Sequence, residues 1–318
     1  MMKLGILGAS DIAFRRFLPA LQKSDFFTYA GTASRTPAKA AAFHARFGGR
    51  LYPSYEALLE DQEVGAVYVP LPPALHEQWG RRVLEAGKHL LMEKPFTTCL
   101  EETEALLALA KQRGLAVHEN YMFLYHSQLR KIKTLLSEGA LGEIRLVQAS
   151  FGFPKRGEDD FRYKRALGGG ALLDCGGYPV RLALELLGGT AQAVQAKLVQ
   201  PEGYEVDLYG SAVLENANDL CAQVSFGMDN AYQCRLEVWG SKATLIAPRI
   251  FTAGTDIQPA LILRSSTGEE QTLLEADDQF FHSLEHFWML VEQPEHRVCT
   301  AESIRNQAAA VQKIVGYS

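Results

Sequence analysis

The sequence predicts an α/β protein in two parts: a doubly wound parallel sheet over residues 1–120, then an α+β domain with a large open, mostly antiparallel sheet over residues 121–318. Three observations predict it. Short apolar, β-branched runs alternate with helically spaced segments through the first part. From Ala191 to Leu274 one strand-like run follows another without a helix between them, and two helical segments close the chain. At 318 residues, 47% hydrophobic and 22% charged, the chain can bury the cores of two ordinary domains, which excludes disordered and disulfide-knot readings.

The elements follow in order. Lys3 to Leu7 reads as a strand and Asp11 to Leu21 as a helix; Thr28 to Ser34 is the next strand, and Ala-rich Pro37 to Phe47 has helical spacing. Ala66 to Val69, His89 to Met92 and Ala116 to Glu119 are further strands, preceded by helical segments such as Ala74 to Ala86 and Leu100 to Arg113. Such alternation implies parallel strands joined by right-handed helical crossovers. Beyond residue 120 a helix (Ser127 to Glu138) leads to a strand (Ile144 to Phe153), a charged loop (Lys155 to Arg165) and a Gly-rich turn that opens a helix (Leu172 to Leu187). The runs AVQAKLVQ, SAVLEN, LCAQVSF, AYQCRLEVWG, ATLIAP, ALILRSS and QTLLEA then form the antiparallel series, and Phe280 to Glu292 and Ala301 to Val315 are the closing helices.

Charge and composition narrow the partners. With 37 acidic against 32 basic residues, net −5, the chain has no surplus for neutralising a phosphate backbone, so nucleic acid is not expected. No window approaches eighteen uninterrupted apolar residues, which argues against a membrane span. Five cysteines, odd in number and without a CxxC pair, suit the reducing cytoplasm.

The first strand runs into Gly8-Ala9-Ser10-Asp11-Ile12-Ala13. A tight turn between a strand and a helix offers backbone N–H groups and the helix N-terminus to a pyrophosphate. Against G-x-G-x-x-G/A, Gly8 and Ala13 fit and Ser10 replaces the middle glycine. An NAD-selective fold puts an acid at the end of the second strand, yet no Asp or Glu occurs from Phe26 to Thr36. Ser34, Arg35 and Lys39 stand there instead, a hydroxyl and two cations suited to a 2′-phosphate, so NADP is favoured and NAD remains possible.

Two further segments are Glu93-Lys94-Pro95 after the strand HLLM, and the run from Gly168 to Pro179 (GGGALLDCGGYP). Together with GASDIA and ASR, they resemble the glucose-fructose oxidoreductase, inositol dehydrogenase and MocA-type family of sugar oxidoreductases. The resemblance implies a Rossmann domain, a second domain whose open sheet shields the nicotinamide and supports oligomer contacts, and catalytic roles for Lys94, Asp174 and Tyr178. A tyrosine at the last position is the pattern of the branch resembling nucleotide-ketosugar 3-reductases and dihydrodiol dehydrogenases. By the same resemblance Glu93, Pro70, Leu71 and His76 line the cofactor, although Pro73 replaces a frequent asparagine and Leu124 a frequent arginine. Arg162 could reach cofactor or substrate, and Glu119-Asn120-Tyr121 marks the domain junction.

The residue types suit the chemistry independently. Hydride delivery to a ketone develops alkoxide charge, which a phenol can protonate, and a nearby ammonium lowers the phenol's ordinary pKa near 10. Asp174, four residues before Tyr178, then serves as a substrate-hydroxyl ligand or a partner of Lys94. His282-Ser-Leu-Glu285-His286 matches a zinc-protease pattern, but that chemistry would need neither the cofactor turn nor the Tyr/Lys pair, so no metal is expected. The reading is therefore an NADP-dependent oxidoreductase acting on a sugar, ketosugar or nucleotide-sugar, with a trans-dihydrodiol dehydrogenase or a non-catalytic NADP sensor as alternatives. A homodimer or homotetramer is expected.

Overall fold

Six strands realise the alternation of the first part: β1 (Met2–Leu7), β2 (Phe27–Ala33), β3 (Arg50–Tyr52), β4 (Val64–Val69), β5 (His89–Met92) and β6 (Val117–Glu119). In the computed structural model, which describes residues 1–317, every pairing among them is parallel and their order is β3-β2-β1-β4-β5-β6. Helices α1 (Leu18–Leu21), α2 (Pro37–Phe47), α3 (Tyr55–Glu60), α4 (His76–Glu85) and α5 (Leu100–Arg113) make the crossovers. Helices on both faces leave no wet side, which is why β1, β4 and β5 read as nearly unbroken apolar runs with Leu4, Ile6, Val67, Tyr68 and Leu91 fully buried. α1 is entered through a π-helical turn, Ala13–Phe17.

The short pair β3 and α3 has no counterpart in the sequence reading. β3 is an edge strand of three residues with Arg50 and Leu51 exposed, so it lacks an apolar run, and six residues are too few for helical periodicity to show. The remaining cue was Ser54, whose Oγ accepts the Ala57 N–H at 3.1 Å as a helix cap.

The chain divides into two units, Met1–Asn120 with Phe280–Arg305, and Tyr121–Gln279 with the residues from 306 onward. The stretch 280–305 therefore belongs with the parallel sheet, whereas a simple boundary at residue 120 puts it in the second part. Aromatic packing explains this. On helix α8 (Gln279–Glu292), Phe287 stacks on Phe27 at 5.5 Å and Trp288 on Phe26 at 5.9 Å, while Ser283 Oγ lies 2.9 Å from His118 Nε2.

The second unit is built on eight strands: β7 (Ile144–Gly152), β8 (Gln192–Val199), β9 (Tyr209–Glu215), β10 (Cys221–Gly227), β11 (Gln233–Gly240), β12 (Ala243–Ala247), β13 (Ala260–Ser265) and β14 (Gly268–Leu273). Their order is β14-β13-β12-β11-β7-β10-β9-β8, antiparallel throughout except for β7 beside β10. Buried Ala222, Val224 and Phe226 alternate with outward Gln223 and Ser225, the pattern of a sheet covered on one face. Helix α6 (Ser127–Ser137) precedes the sheet, and α7 (Gly177–Leu187), entered through a second π-helical turn (Leu172–Gly176), packs against β7 and β10. β14 is exposed along its whole length, and Glu269 and Glu270 guard that edge. The last helix, α9 (Arg297–Val315), passes from the first unit into the second. Among the described residues no helix is long and apolar enough to cross a membrane.

Candidate functional site

In the first unit the strand order reverses between β1 and β4, and the predicted cofactor residues gather at the carboxyl ends of these and the neighbouring strands, where open parallel sheets take their ligands. Gly8 has φ +110°, and a Cβ added there would stand 2.7 Å from Leu71 Cδ2, so both the turn and the close approach demand glycine. Its N–H donates to Ala33 O at 2.9 Å, which ties the turn to the end of β2. Half-buried Ala9 and Ser10 follow, and Ser10 caps the helix: its Oγ accepts the Ala13 N–H at 3.2 Å and its carbonyl the Phe14 N–H at 3.1 Å. Exposed Asp11 is bound to Arg15 at 2.7 Å, so its side chain runs along the helix while its backbone, with that of Ile12, forms the helix start.

The end of β2 stands beside this turn. Ser34 Oγ accepts the Thr36 N–H at 3.1 Å, and exposed Arg35 and Lys39 pair with no carboxylate among the described residues. Burial raises the pKa of the Tyr55 phenol, and the Arg35 guanidinium beside it works in the opposite direction. A positive, uncompensated surface next to a phosphate turn fits a dinucleotide carrying an extra phosphate. The residues present thus fit NADP.

Beyond β4, Pro70 and Leu71 are buried. His76 is 0% exposed, with Nδ1 2.7 Å from Pro95 O and Nε2 2.7 Å from Leu71 O. Burial pushes its pKa down to about 4, so the neutral ring donates to one carbonyl at a time. Both ring nitrogens of His76 thus face backbone carbonyls, and the side chain clamps the segments after β4 and β5 to each other. Glu93, after β5, has its carboxylate engaged as well, accepting from Tyr68 Oη at 2.5 Å and Asn120 Nδ2 at 2.7 Å. Burial raises its pKa, and these two bonds oppose the rise. Asn120 is held in turn by Ser283, whose hydroxyl donates to Asn120 Oδ1 at 2.8 Å. This network fixes the backbone from which half-buried Lys94 extends, through a cis peptide to Pro95. The sequence marked Asn120 only as part of a junction motif; Tyr68 and Ser283, apolar-strand and helix residues by pattern, carried no signal at all.

In the second unit the glycine run has a steric cause. A Cβ on Gly169 would lie 2.3 Å from Arg162 O, and Gly170 N–H donates to that oxygen at 2.9 Å, so the loop of residues 160–165 lies directly on the run. Asp207, unremarked in the sequence, supplies the cap: its carbonyl accepts from Ala171 N at 2.8 Å and its carboxylate from Leu172 N at 2.8 Å. Arg162 is committed to two carboxylates, Asp174 Oδ2 at 2.6 Å from Nε and Asp160 Oδ1 at 3.1 Å from Nη1. It thereby orients Asp174, a pairing the sequence did not reveal.

Tyr178, on the first turn of α7, is 7% exposed. Its ring lies among Phe151 at 5.0 Å, Tyr121 at 5.3 Å and Phe251 at 5.8 Å, with its hydroxyl 3.8 Å from Met122 Sδ. Gln307 steadies the helix start by donating to Gly177 O at 2.9 Å and to Tyr121 Oη at 3.3 Å. Among the described residues no three His, Cys, Asp or Glu side chains gather as a metal site, and His282 faces Glu285 along α8 at 2.5 Å.

Comparison with known proteins places these residues in context. Residues 2–121 match the oxidoreductase family with an NAD-binding Rossmann fold, and residues 129–246 match the GFO/IDH/MocA C-terminal domain. A dTDP-3,4-didehydro-2,6-dideoxy-alpha-D-glucose 3-reductase from Actinomadura kijaniata is 42% identical over 313 residues, 98% of this chain and 94% of that protein. A 3-ketoreductase structure from the same organism, solved with NADP and TDP-benzene, superposes with a TM-score of 0.96 at 41% identity, covering 99% of this chain and 97% of that one. A trans-1,2-dihydrobenzene-1,2-diol dehydrogenase from Danio rerio is 34% identical over 194 residues, 59% of this chain and 57% of that protein. By both its domains and this full-length likeness, the chain belongs to the GFO/IDH/MocA oxidoreductase family.

Proposed function

We propose that this protein is an NADP-dependent reductase of a nucleotide-linked ketosugar, with Tyr178 as proton donor, Lys94 as its cationic partner and Asp174 as a substrate-hydroxyl ligand. The observation that carries the reading is the 42% identity, over 98% of the chain, to a dTDP-ketosugar 3-reductase. A second point supports the residue roles. Variants of the Actinomadura 3-ketoreductase with one tyrosine changed to phenylalanine, and with one lysine changed to alanine, were solved with the same two ligands, and the two altered positions are as far apart in that sequence as Lys94 and Tyr178 are in this one.

NADPH supplies the hydride when bound. The Gly8 turn and the helix start at Asp11 and Ile12 would receive its pyrophosphate, and Ser34, Arg35 and Lys39 its 2′-phosphate. As negative charge develops on the carbonyl oxygen, the Tyr178 phenol gives up its proton, and the Lys94 ammonium stabilises the tyrosinate that remains. This requires both groups to reach one substrate oxygen in the loaded enzyme. Asp174, oriented by Arg162, accepts from a hydroxyl of the sugar and fixes which carbon faces the hydride.

The test is an NADPH-consumption screen over dTDP-linked ketosugars, free ketosugars and, in reverse, polyols and trans-dihydrodiols. Turnover with the nucleotide-linked compounds is expected, and turnover confined to diols would refute the reading. Five cysteines with no disulfide among them suit a cytoplasmic enzyme. A second copy is the expected partner of the open sheet face, where Gln148 meets Gln223 at 3.0 Å, Ser150 meets Ser225 at 2.8 Å, and Trp239 remains 45% exposed. Sedimentation as a monomer at micromolar concentration would refute that assembly.

A further inference from the structure

Two arginines outside the proposed catalytic set occupy matching positions at the rim of the aromatic cluster around Tyr178. Arg156 lies over the Phe153 ring at 5.1 Å and Arg249 over the Tyr232 ring at 5.7 Å. The strand register ends with Gln233 paired to Gly152, so Tyr232 and Phe153 are the next residues along two adjacent strands. Phe153 is on the face that carries Tyr178, 6.2 Å from Phe151, which is 5.0 Å from Tyr178, and the Tyr232 hydroxyl lies 2.7 Å from Oγ1 of Thr252, the neighbour of Phe251. Arg249 is reached by a second route, two residues before Phe251, whose ring is 5.8 Å from that of Tyr178.

Both guanidinium groups are available. Arg156 and Arg249 are exposed, and neither pairs with a carboxylate among the described residues; Arg249 Nε makes one long bond, 3.4 Å, to Thr252 O. Stacking on a ring fixes the plane of a guanidinium and leaves its N–H edges pointing outward, the geometry that receives phosphate oxygens. The neighbouring cations are otherwise engaged. Arg162 is taken by Asp160 and Asp174, and Lys155 lies over the Tyr204 ring, whose hydroxyl is the first cause that raises its pKa. In a nucleotide-linked sugar, a pyranose ring and a glycosidic oxygen separate the reacting carbon from the first phosphorus, so the diphosphate lies outward from Tyr178, the direction in which Phe151 and Phe153 lead to Arg156.

We propose that Arg156 and Arg249 together bind the diphosphate of the nucleotide-linked substrate and so select it over the free sugar. The inference rests on the nucleotide-sugar reading above and is tested apart from turnover. Titrate dTDP, dTMP and thymidine by calorimetry into the full chain saturated with NADP, for the parent and for Arg156→Gln, Arg249→Gln and the double variant, with Arg113→Gln as a charge control. The parent and the control should bind dTDP better than dTMP; each Gln variant should lose roughly tenfold in dTDP affinity, and Arg→Lys should recover part of it. NADPH affinity and melting temperature should stay at parent values in every variant. Dissociation constants for dTDP in the double variant within twofold of the parent would overturn the assignment while leaving the nucleotide-sugar reading intact. A parent that binds NADPH but not dTDP would overturn both.

Discussion

Changing Gly8 to alanine perturbs the cofactor turn at two separable points. The backbone there has φ +110°, a conformation that costs an L-residue about 1–3 kcal/mol, and the new Cβ would arrive 2.7 Å from Leu71 Cδ2 and 3.6 Å from Pro70 O. The Leu71 contact is with the end of a flexible side chain, so it yields more cheaply than backbone would. A total loss of about 2–3 kcal/mol is expected, measured by urea unfolding, with NADPH affinity falling at least roughly tenfold as the turn shifts. Repeating the change in a Leu71→Ala background separates the causes: the steric part disappears, whereas the conformational part of about 1–2 kcal/mol persists. If Gly8→Ala left stability within about 0.5 kcal/mol and NADPH affinity unchanged, the account of this turn as a strained, close-packed phosphate cradle would be wrong.

Three other outcomes are expected. Arg35→Ala should erase most of a preference for NADPH over NADH of about 10–100-fold in the parent, measured by fluorescence titration; equal affinities in the parent would remove the NADP assignment. Tyr178→Phe should lower turnover by about two orders of magnitude or more while NADPH affinity stays near the parent value; full activity would exclude Tyr178 as proton donor. His89 is held neutral by burial first and by Arg297 second, with its pKa pushed down to about 4, and its Nδ1 accepts the Ala116 N–H at 3.0 Å. Its folded pKa lies below the unfolded value near 6.5, so its contribution is complete above pH 6.5 and is lost as pH falls toward 4. Urea unfolding should show a loss of about 2 kcal/mol by pH 5 that is missing from His89→Gln, and parallel pH profiles for the two proteins would contradict the assignment.

The legible parts of the fold were those where one pattern decided the structure. β1, β4 and β5, buried on both faces, announce themselves as apolar runs, and α2 and α5 appear at their observed bounds, Pro37–Phe47 and Leu100–Arg113. β14 was displaced by a few residues because its exposed sequence GEEQTL carries no burial pattern. The missed parts of the site are pairings between distant positions. Arg162 with Asp174, Asp207 with the α7 entry, and Tyr68 with Glu93 are set by tertiary packing, and no local spacing encodes them. His76 illustrates the opposite limit: the motif marks the residue but not the two carbonyls, of Leu71 and Pro95, that its ring bridges.

The two π-helical turns, Ala13–Phe17 after the glycine turn and Leu172–Gly176 around Asp174, make chain length in those places a constraint of its own. Each accommodates one residue beyond what an ordinary helical ladder would hold. Removing a single residue from either would permit a regular helix and would close the wide turn that now carries the extra residue. Around Asp174 that closure would move the backbone that now brings the carboxylate to Arg162. Natural variants of this protein should therefore keep the residue count of these two stretches and, in the second, Asp174 as well.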